Sequence, residues 1–361
     1  MKKTILVTGV SGQDGANMCE YLLGNKKHEV YGMVRRSSSP NFKNCQNFLT
    51  NSNFNLVYGD LSDEVSICKL VEEIQPDYFI NFAANSFVGC SWDMPMQVFD
   101  ANALGVLRCL EAIKKHQPKC KFYSAGSSEE FGDVDYSPQD EKHPLKPRSP
   151  YGASKCAARH LVKVYRESYG LYAVHGTLFN HEGTKRGEEF VTRKITKGVA
   201  RIYHEMRSAD KWKSRHGSKP VFDPIELGNL DAKRDWSDSE DFVKGIWLML
   251  NQKEPKDYLL ASGETHSIRE FVEKAFEYVK MNGEWEGEGL KEKYIYHAGN
   301  FRHILVKINP DFYRPNEVEL LMGDPRTSQK ELKWIPEVSF CDLVKKMVLN
   351  DVHEAMLAIK N

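Results

Sequence analysis

Four residues have the types and spacing to share one chemistry: Ser127, Glu129, Tyr151 and Lys155. Tyr151 follows Ser149-Pro150, and a proline suits the first turn of a helix because the N–H it lacks would be unpaired there. Lys155 comes four residues later, so on a helix the phenol and the ammonium share one face. A cation beside a phenol favours phenolate and draws the tyrosine toward the working range of a general base. Ser127 adds a hydroxyl and Glu129 a carboxylate from the preceding segment. With a nicotinamide site nearby, this set performs hydride transfer at a carbinol. Tyr151 takes the hydroxyl proton, Ser127 hydrogen-bonds the same oxygen, and Lys155 lowers the tyrosine pKa and can hold the nicotinamide ribose. Alone, Tyr-x-x-x-Lys is a common surface pair on helices, and its meaning depends on the rest of the chain.

The elements that must position these groups begin at the N-terminus. Thr4-Ile5-Leu6-Val7 is a short apolar run of the kind that forms a fully buried parallel strand. It enters Gly9-x-x-Gly12-x-x-Gly15, with Gln13 and Asp14 inside the turn, and then a helical pattern. Such a turn lets backbone approach a pyrophosphate at a helix N-terminus, where the dipole favours an anion. The second strand, Glu29 to Val34, ends in Arg35-Arg36-Ser37 rather than an acid, which suits the 2′-phosphate of NADP over NAD. The third strand (Asn55 to Tyr58) leads to Asp60 and Leu61, placed to lie along an adenine, with Ser62 as the expected cap of the next helix. The fourth (Tyr78 to Phe82) ends in Ala83, Ala84, Asn85 and Ser86, small enough to admit a cofactor. Met96 to Lys115 reads as helix, Lys121 to Ala125 as a fifth strand and Ala173 to Leu178 as a sixth. This alternation predicts an α/β fold with a Rossmann-type doubly wound parallel sheet, its ligands beyond the carboxyl ends of the strands. A cofactor-binding domain is expected over residues 1–180, with later segments returning to it, and a smaller substrate domain mainly over 181–361. His204 to Pro224 is polar, basic and without periodicity, and is expected to be an exposed loop.

Composition narrows the class further. Lys plus Arg number 50 and Asp plus Glu number 50, so no net charge invites nucleic acid or a membrane surface. The eight cysteines contain no C-x-x-C pair, as expected of reduced thiols in a cytoplasmic enzyme. The apolar run after Met1-Lys2-Lys3 is too short for a signal peptide, and no stretch reaches the ~20 apolar residues of a membrane span.

Several stretches together resemble one family. Thr8 to Gly15 (TGVSGQDG), Val34 to Ser38 (VRRSS), Ser149 to Gly152 (SPYG), Leu178 to Glu182 (LFNHE), Phe190 to Ile195 (FVTRKI), Leu227 to Trp236 (LGNLDAKRDW) and Phe312 to Glu319 (FYRPNEVE) are similar to the GDP-mannose 4,6-dehydratase family. That family lies in the extended branch of the short-chain dehydrogenase/reductases. The resemblance runs from residue 4 to about residue 350. It implies an internal redox cycle on a GDP-sugar, with NADP retained, and an oligomer of two or four chains. Hydride leaves C4, the ketone acidifies C5–H, water is lost from C6, and hydride returns to C6.

By this resemblance Ser127-Ser128-Glu129 replaces the family's Thr-Ser-Glu, and Glu129 is the acid–base carboxylate of the elimination. Glu130 and Phe131 stand where the family usually has Leu and Tyr. Strand alternation would turn Glu130 away from Glu129, as a surface or helix-capping acid. His181 and Arg186 would contact the cofactor. Asn180, Lys194, Arg234, Arg314 and Glu317 would hold the GDP moiety, and Ser86, Ser127 and Glu129 would touch the substrate. Asn85-Ser86-Phe87 in place of Gln-Ser-His, and Ser237-Asp238 in place of Gly-His, leave open a 4,6-dehydratase of another GDP-sugar, such as a GDP-manno-heptose. A UDP- or dTDP-sugar dehydratase or epimerase fits less well, because those enzymes lack the Arg314/Glu317 motif.

Overall fold

In the computed structural model the described residues are 2–24, 28–216, 222–312 and 320–360. The chain divides into two compact units. One comprises Met1–His181, Asp235–Glu264 and Leu321–Glu337, and the other Glu182–Arg234, Thr265–Leu320 and Val338–Asn361.

In the first unit the chain alternates β1 (Lys3–Thr8), α1 (Gln13–Gly24), β2 (His28–Val34), β3 (Phe54–Tyr58), α2 (Glu64–Ile74) and β4 (Tyr78–Asn81). It continues through α3 (Pro95–Phe99), α4 (Gly105–His116), β5 (Lys121–Ala125), α5 (Pro150–Tyr169) and β6 (Ala173–Leu178). With the later strand Tyr258–Leu260 these make one seven-stranded sheet, in the order Tyr258–Leu260, β6, β5, β4, β1, β2, β3. Every pairing in it is parallel. The apolar runs read from the sequence become its buried centre: Ile5, Leu6 and Val7 of β1, Phe79 and Ile80 of β4, and Phe122 and Tyr123 of β5 are all fully buried. Helices cover both faces. Met18 and Leu22 of α1 pack in one core with Phe242 and Ile246, and Leu110 and Ile113 of α4 in another with Phe79 and Phe122. The order of connection reverses between β1 and β4, so their carboxyl ends open the crevice in which such sheets bind ligands.

Two local expectations need correction here. The cap of α2 is Asp63, whose carboxylate accepts the N–H of Val65 at 3.1 Å, and not Ser62. Ser62 donates its hydroxyl to Asp60 instead, because the turn closes one residue later. The helix expected over Met96 to Lys115 is interrupted by a π-helical turn, Asp100–Leu104, between α3 and α4.

In the second unit a four-stranded sheet runs Glu284–Glu286, Lys293–Ala298, Phe301–Ile308, Ile225–Leu227, antiparallel except for the last pair. A helix spans Val191–His216. The loop expected from His204 to Pro224 is therefore helical as far as His216, and only Phe222 to Pro224 are described without regular structure. The reason is local. Ile195, Val199, Ile202 and Met206 form a buried stripe at helical spacing, and the residues that follow include Ala, Lys and Arg, good helix formers that extend it. Thr196 donates to Asp351 at 2.7 Å, and Arg193 pairs with Asp351 at 2.9 Å, which fastens this helix to Phe340–Lys360.

No helix among the described residues is long and apolar enough to cross a membrane. All eight cysteines are free, and Cys341 is exposed.

Candidate active site

The first turn of the first unit is built for close approach. Gly9 has φ +69°, and a Cβ there would lie 2.8 Å from the backbone nitrogen of Ala83. A Cβ at Gly15 would lie 2.3 Å from the Gly9 carbonyl oxygen, so any side chain at that position would open the turn. Gly12 closes it, its N–H donating to the Gly9 carbonyl at 2.9 Å. Thr8 Oγ1 donates to Asn81 and accepts the Ala83 N–H at 3.0 Å, tying the ends of β1 and β4 together. The result is a bare backbone cradle at the N-terminus of α1, which could hold a dinucleotide pyrophosphate against Gly12, Gln13 and Asp14. The cradle is flanked by Ala83 and Ala84, with exposed Ser86 beyond them. Arg35, Arg36 and Ser37 are exposed past the end of β2. Arg35 is close enough to Asp60 to stabilise its carboxylate. Burial pushes Asp60 up, but the Ser62 hydrogen bonds, Arg35 and Arg108 hold it below its ordinary range. Leu61 is buried beside it.

The candidate reacting groups follow the carboxyl end of β5 and the start of α5. Ser149 caps α5 by accepting the Gly152 N–H at 3.0 Å, with Pro150 in the first turn as the sequence requires. Tyr151 and Lys155 share one face of α5, and the Lys155 amine lies 5.7 Å from the Tyr151 ring centroid. Lys155 is buried and donates to the carbonyl of Ala125 at 2.8 Å. Burial pushes its ammonium down to about 8, while the charges of Glu130 and Asp14 pull it up.

Ser127 to Glu130 do not continue β5 as a strand. They form a 3-10 turn, Ser128–Glu130, in which Ser127 Oγ accepts the Glu129 N–H at 3.2 Å. A hydroxyl has one proton and two lone pairs, so Ser127 can still donate to a substrate oxygen. Both Ser127 and Glu129 are half-buried. Gly152 brings this turn close to α5, since a Cβ there would lie 2.6 Å from the Glu129 carbonyl oxygen. The turn that carries Ser127 and Glu129 thereby packs against the first turn of α5, which carries Tyr151 and, one turn on, Lys155.

The surface role weighed for Glu130 is wrong, because its side chain is 0% exposed. The capping role is right, because it accepts the Ser127 N–H at 2.8 Å. Strand alternation does not apply within a 3-10 turn, where successive residues are not placed on opposite faces.

His181 lies against the start of α1. Its Nε2 meets Asp14 at 3.0 Å, its ring stacks on Phe242 at 4.7 Å, and its carbonyl accepts from Gln13 at 3.0 Å. Asn180 is half-buried beside it. The remaining expected residues lie in the second unit. Arg186 pairs with Glu182 at 3.1 Å and covers the ring of Phe190 at 3.5 Å. The Lys194 ammonium sits 3.6 Å over the ring of Phe312, and burial pulls its pKa down against Glu226. Arg234 is half-buried and donates to the Lys233 carbonyl at 2.8 Å. Arg314 and Glu317 lie outside the described residues.

One supporting residue escaped the sequence reading. Asn102, buried in the π-helical turn, exchanges hydrogen bonds with the backbone of Asn85 and donates to Ser154 Oγ at 3.1 Å. Ser154 in turn donates to the Tyr151 carbonyl at 2.6 Å, so one amide ties the loop after β4 to the helix of Tyr151. Its signal was an asparagine inside an otherwise helical run.

Comparison with known proteins places this geometry. A family model described as GDP-mannose 4,6 dehydratase matches residues 6–347. A GDP-mannose 4,6 dehydratase from Cricetulus griseus is 43% identical over 360 residues, covering 97% of this chain and 92% of its own. The one from Homo sapiens is 42% identical over the same shares. Among solved structures, the dTDP-glucose 4,6-dehydratase DesIV of Streptomyces venezuelae, with NAD and TYD bound, has a TM-score of 0.78 at 20% identity and covers 98% of each chain. The RMD of Pseudomonas aeruginosa, complexed with NADPH, has a TM-score of 0.73 at 21% identity, covering 98% of this chain and 99% of its own. The structural likenesses speak for the fold alone, whereas the family match and the sequence identities speak for descent. The chain belongs to the GDP-mannose 4,6-dehydratase family, a family of hydro-lyases.

Proposed function

We propose that the protein dehydrates GDP-mannose to GDP-4-keto-6-deoxymannose in an internal redox cycle that uses NADP. The observation that carries this is the packing of the Ser127–Glu129 turn against the first turn of α5, where Lys155 faces the ring of Tyr151, in a chain of this family. The nicotinamide supplies a hydride acceptor for C4–H and later a hydride donor for C6. Tyr151 accepts the C4 hydroxyl proton, helped by the Lys155 charge, while Ser127 hydrogen-bonds the same oxygen. The 4-ketone acidifies C5–H; Glu129 takes that proton and passes it to the departing C6 hydroxyl, which leaves as water. Delivery of hydride to C6, and of the proton held by Tyr151 to C5, then saturates the C5–C6 double bond, so net redox is zero. Arg35 and Arg36 support NADP over NAD, since two guanidiniums at the end of β2 match a 2′-phosphate. Asn180, Lys194, Arg234, Arg314 and Glu317 hold the GDP moiety, and His181 and Arg186 the cofactor. A cytoplasmic homodimer or homotetramer fits the eight free thiols and the family.

The test is incubation of the purified protein with NADP and GDP-mannose, alongside UDP- and dTDP-sugars, read by mass spectrometry. The expected product is GDP-mannose less one water, with no turnover of the other nucleotides. Turnover of a UDP- or dTDP-sugar at the same rate would overturn the reading. A second GDP-sugar deserves inclusion because Asn85-Ser86-Phe87 departs from the family, and Ser86 is exposed there.

A further inference from the structure

Glu130 is a carboxylate buried at 0% exposure immediately beside the expected acid–base residue. Its Oε1 accepts from the Ser127 N–H at 2.8 Å and meets His175 Nε2 at 2.9 Å, and its Oε2 lies 3.5 Å from Arg159 Nη1. His175, on β6, is itself fully buried, and its backbone N–H donates to Asp257, which Arg166 grips through both oxygens at 2.6 and 3.1 Å. Gly126 makes the pair possible, because a Cβ there would fall 2.2 Å from His175 Nε2 and 2.7 Å from Glu130 Oε1. Arg159 follows Tyr151 and Lys155 at the same spacing of four, so α5 turns phenol, ammonium and guanidinium to one side.

A buried carboxylate–imidazole pair is an expensive way to fill space, and two apolar side chains of similar volume are commonly as stable or more so. Glu130 is also the last residue of the turn that presents two reacting groups, and its carboxylate closes that turn on the Ser127 N–H. We propose that Glu130, held by His175 and Arg159, is a positioning residue for the reaction: it clamps the Ser127 N–H to fix the Ser127–Glu129 turn, and its carboxylate, packed at Gly126 next to the Ala125 carbonyl that Lys155 grips, supplies the negative charge facing that ammonium. This rests on the assignment of the active site above.

The ionisation states agree with the geometry. Burial would push the Glu130 carboxyl up, but the charge and hydrogen bond of His175, the Arg159 guanidinium and the Ser127 N–H hold it below its usual range. An ionised carboxylate only accepts, so His175 Nε2 donates to it. Three other groups face this charge. Lys155 is drawn up by Glu130 and by Asp14 of α1 against its burial. Burial and Glu130 push the Cys156 thiol, which lies 3.5 Å from the Glu130 carbonyl oxygen, up to about 12. Tyr123 of β5 is raised by burial, Asp14 and Glu130.

The test separates positioning from mere packing by following Lys155 directly. Glu130→Gln keeps the shape and an acceptor for the Ser127 N–H but removes the charge, and Glu130→Leu removes both. NMR titration of the Lys155 amine should show its midpoint lowered by at least about half a pH unit in Glu130→Gln. The alkaline limb of kcat should move with it. Glu130→Leu should lower kcat by about 10- to 100-fold while KM for the GDP-sugar stays within about twofold. Should Glu130→Leu fail to fold, the double replacement Glu130→Leu, His175→Leu removes both buried polar partners and carries the same expectation. An unmoved Lys155 midpoint in Glu130→Gln, or full kcat in a folded Leu variant, would overturn the proposal. If the unmutated protein turns over no GDP-sugar, the function proposed above falls, whereas the Lys155 titration still decides the role of Glu130.

Discussion

The Lys155 amine donates to the carbonyl of Ala125 across 2.8 Å, fastening the helix of Tyr151 to the last residue of β5. That bond orients an ammonium whose burial has pulled it down to about 8. If a charged Lys155 is needed to stabilise the Tyr151 phenolate, turnover should fall on the alkaline side with a midpoint near 8. Stability should move the other way. An unfolded lysine holds its proton up to about 10.4, so between these values the unfolded chain binds more protons and stability rises with pH. Lys155→Met should therefore abolish the alkaline rise in stability, measured by melting at several pH values, while lowering turnover at pH 7 by at least ~100-fold.

A second expectation concerns the cofactor. Arg35→Ala, Arg36→Ala should weaken NADP binding by about tenfold or more and leave NAD binding within about twofold. Charge-assisted hydrogen bonds are worth about 1.5–3 kcal/mol each, discounted here because both arginines are exposed. Titration calorimetry with each dinucleotide decides it. Equal loss for NAD and NADP would mean that these arginines do not read the 2′-phosphate.

The glycine cradle gives a third. Gly15→Ala places a methyl 2.3 Å from a backbone oxygen that cannot swing aside, unlike a flexible side chain. Dinucleotide affinity should fall sharply and melting temperature with it. Gly24→Ala, at a position where a methyl meets nothing within 4 Å, is the control and should change neither.

What could be read from sequence was whatever depends on short range or on one spacing. Thr4 to Val7 running into Gly9, Gly12 and Gly15 fixes strand, turn and helix locally, and Tyr151 to Lys155 is one helical turn. What could not be read depends on partners far along the chain. Glu130 looks like a second surface acid until His175, 45 residues later, arrives on β6 beside it. The π-helical turn around Asn102 leaves no local mark except that asparagine, because its hydrogen bonds go to Asn85 and Ser154. The polar stretch after His204 is illegible for the opposite reason: it has no periodicity of its own, and it is helical because the buried stripe from Ile195 to Met206 has already started the helix.

Guanosine selection is expected from Arg314 and Glu317, three residues apart with the stiff Pro315 between them. Arg314→Ala should raise KM for the GDP-sugar far more than it lowers kcat, because contacts to the nucleotide are alike in ground and transition states. Steady-state kinetics resolve the two. A fall in kcat at constant KM would place Arg314 at the reacting sugar instead.

The two chemical stages should separate by residue. On the proposed function, oxidation at C4 should call on Tyr151 and elimination of water on Glu129, because only the second breaks C5–H. Glu129→Gln keeps shape and hydrogen bonding but cannot accept a proton. Supplied with GDP-mannose and NADP, it should still build up some 4-keto hexose and reduced cofactor, seen by absorbance, while dehydration falls by at least ~100-fold. Tyr151→Phe should stop earlier and give no such signal. Exchange of C5–H with deuterated water, followed by NMR, then identifies the base. Glu129 is half-buried, whereas the Glu130 carboxylate is fully buried against Ser127, His175 and Arg159. Exchange should therefore be lost in Glu129→Gln and persist, more slowly, in Glu130→Gln. The reverse pattern would transfer the proton to Glu130 and require its buried pair to open during turnover.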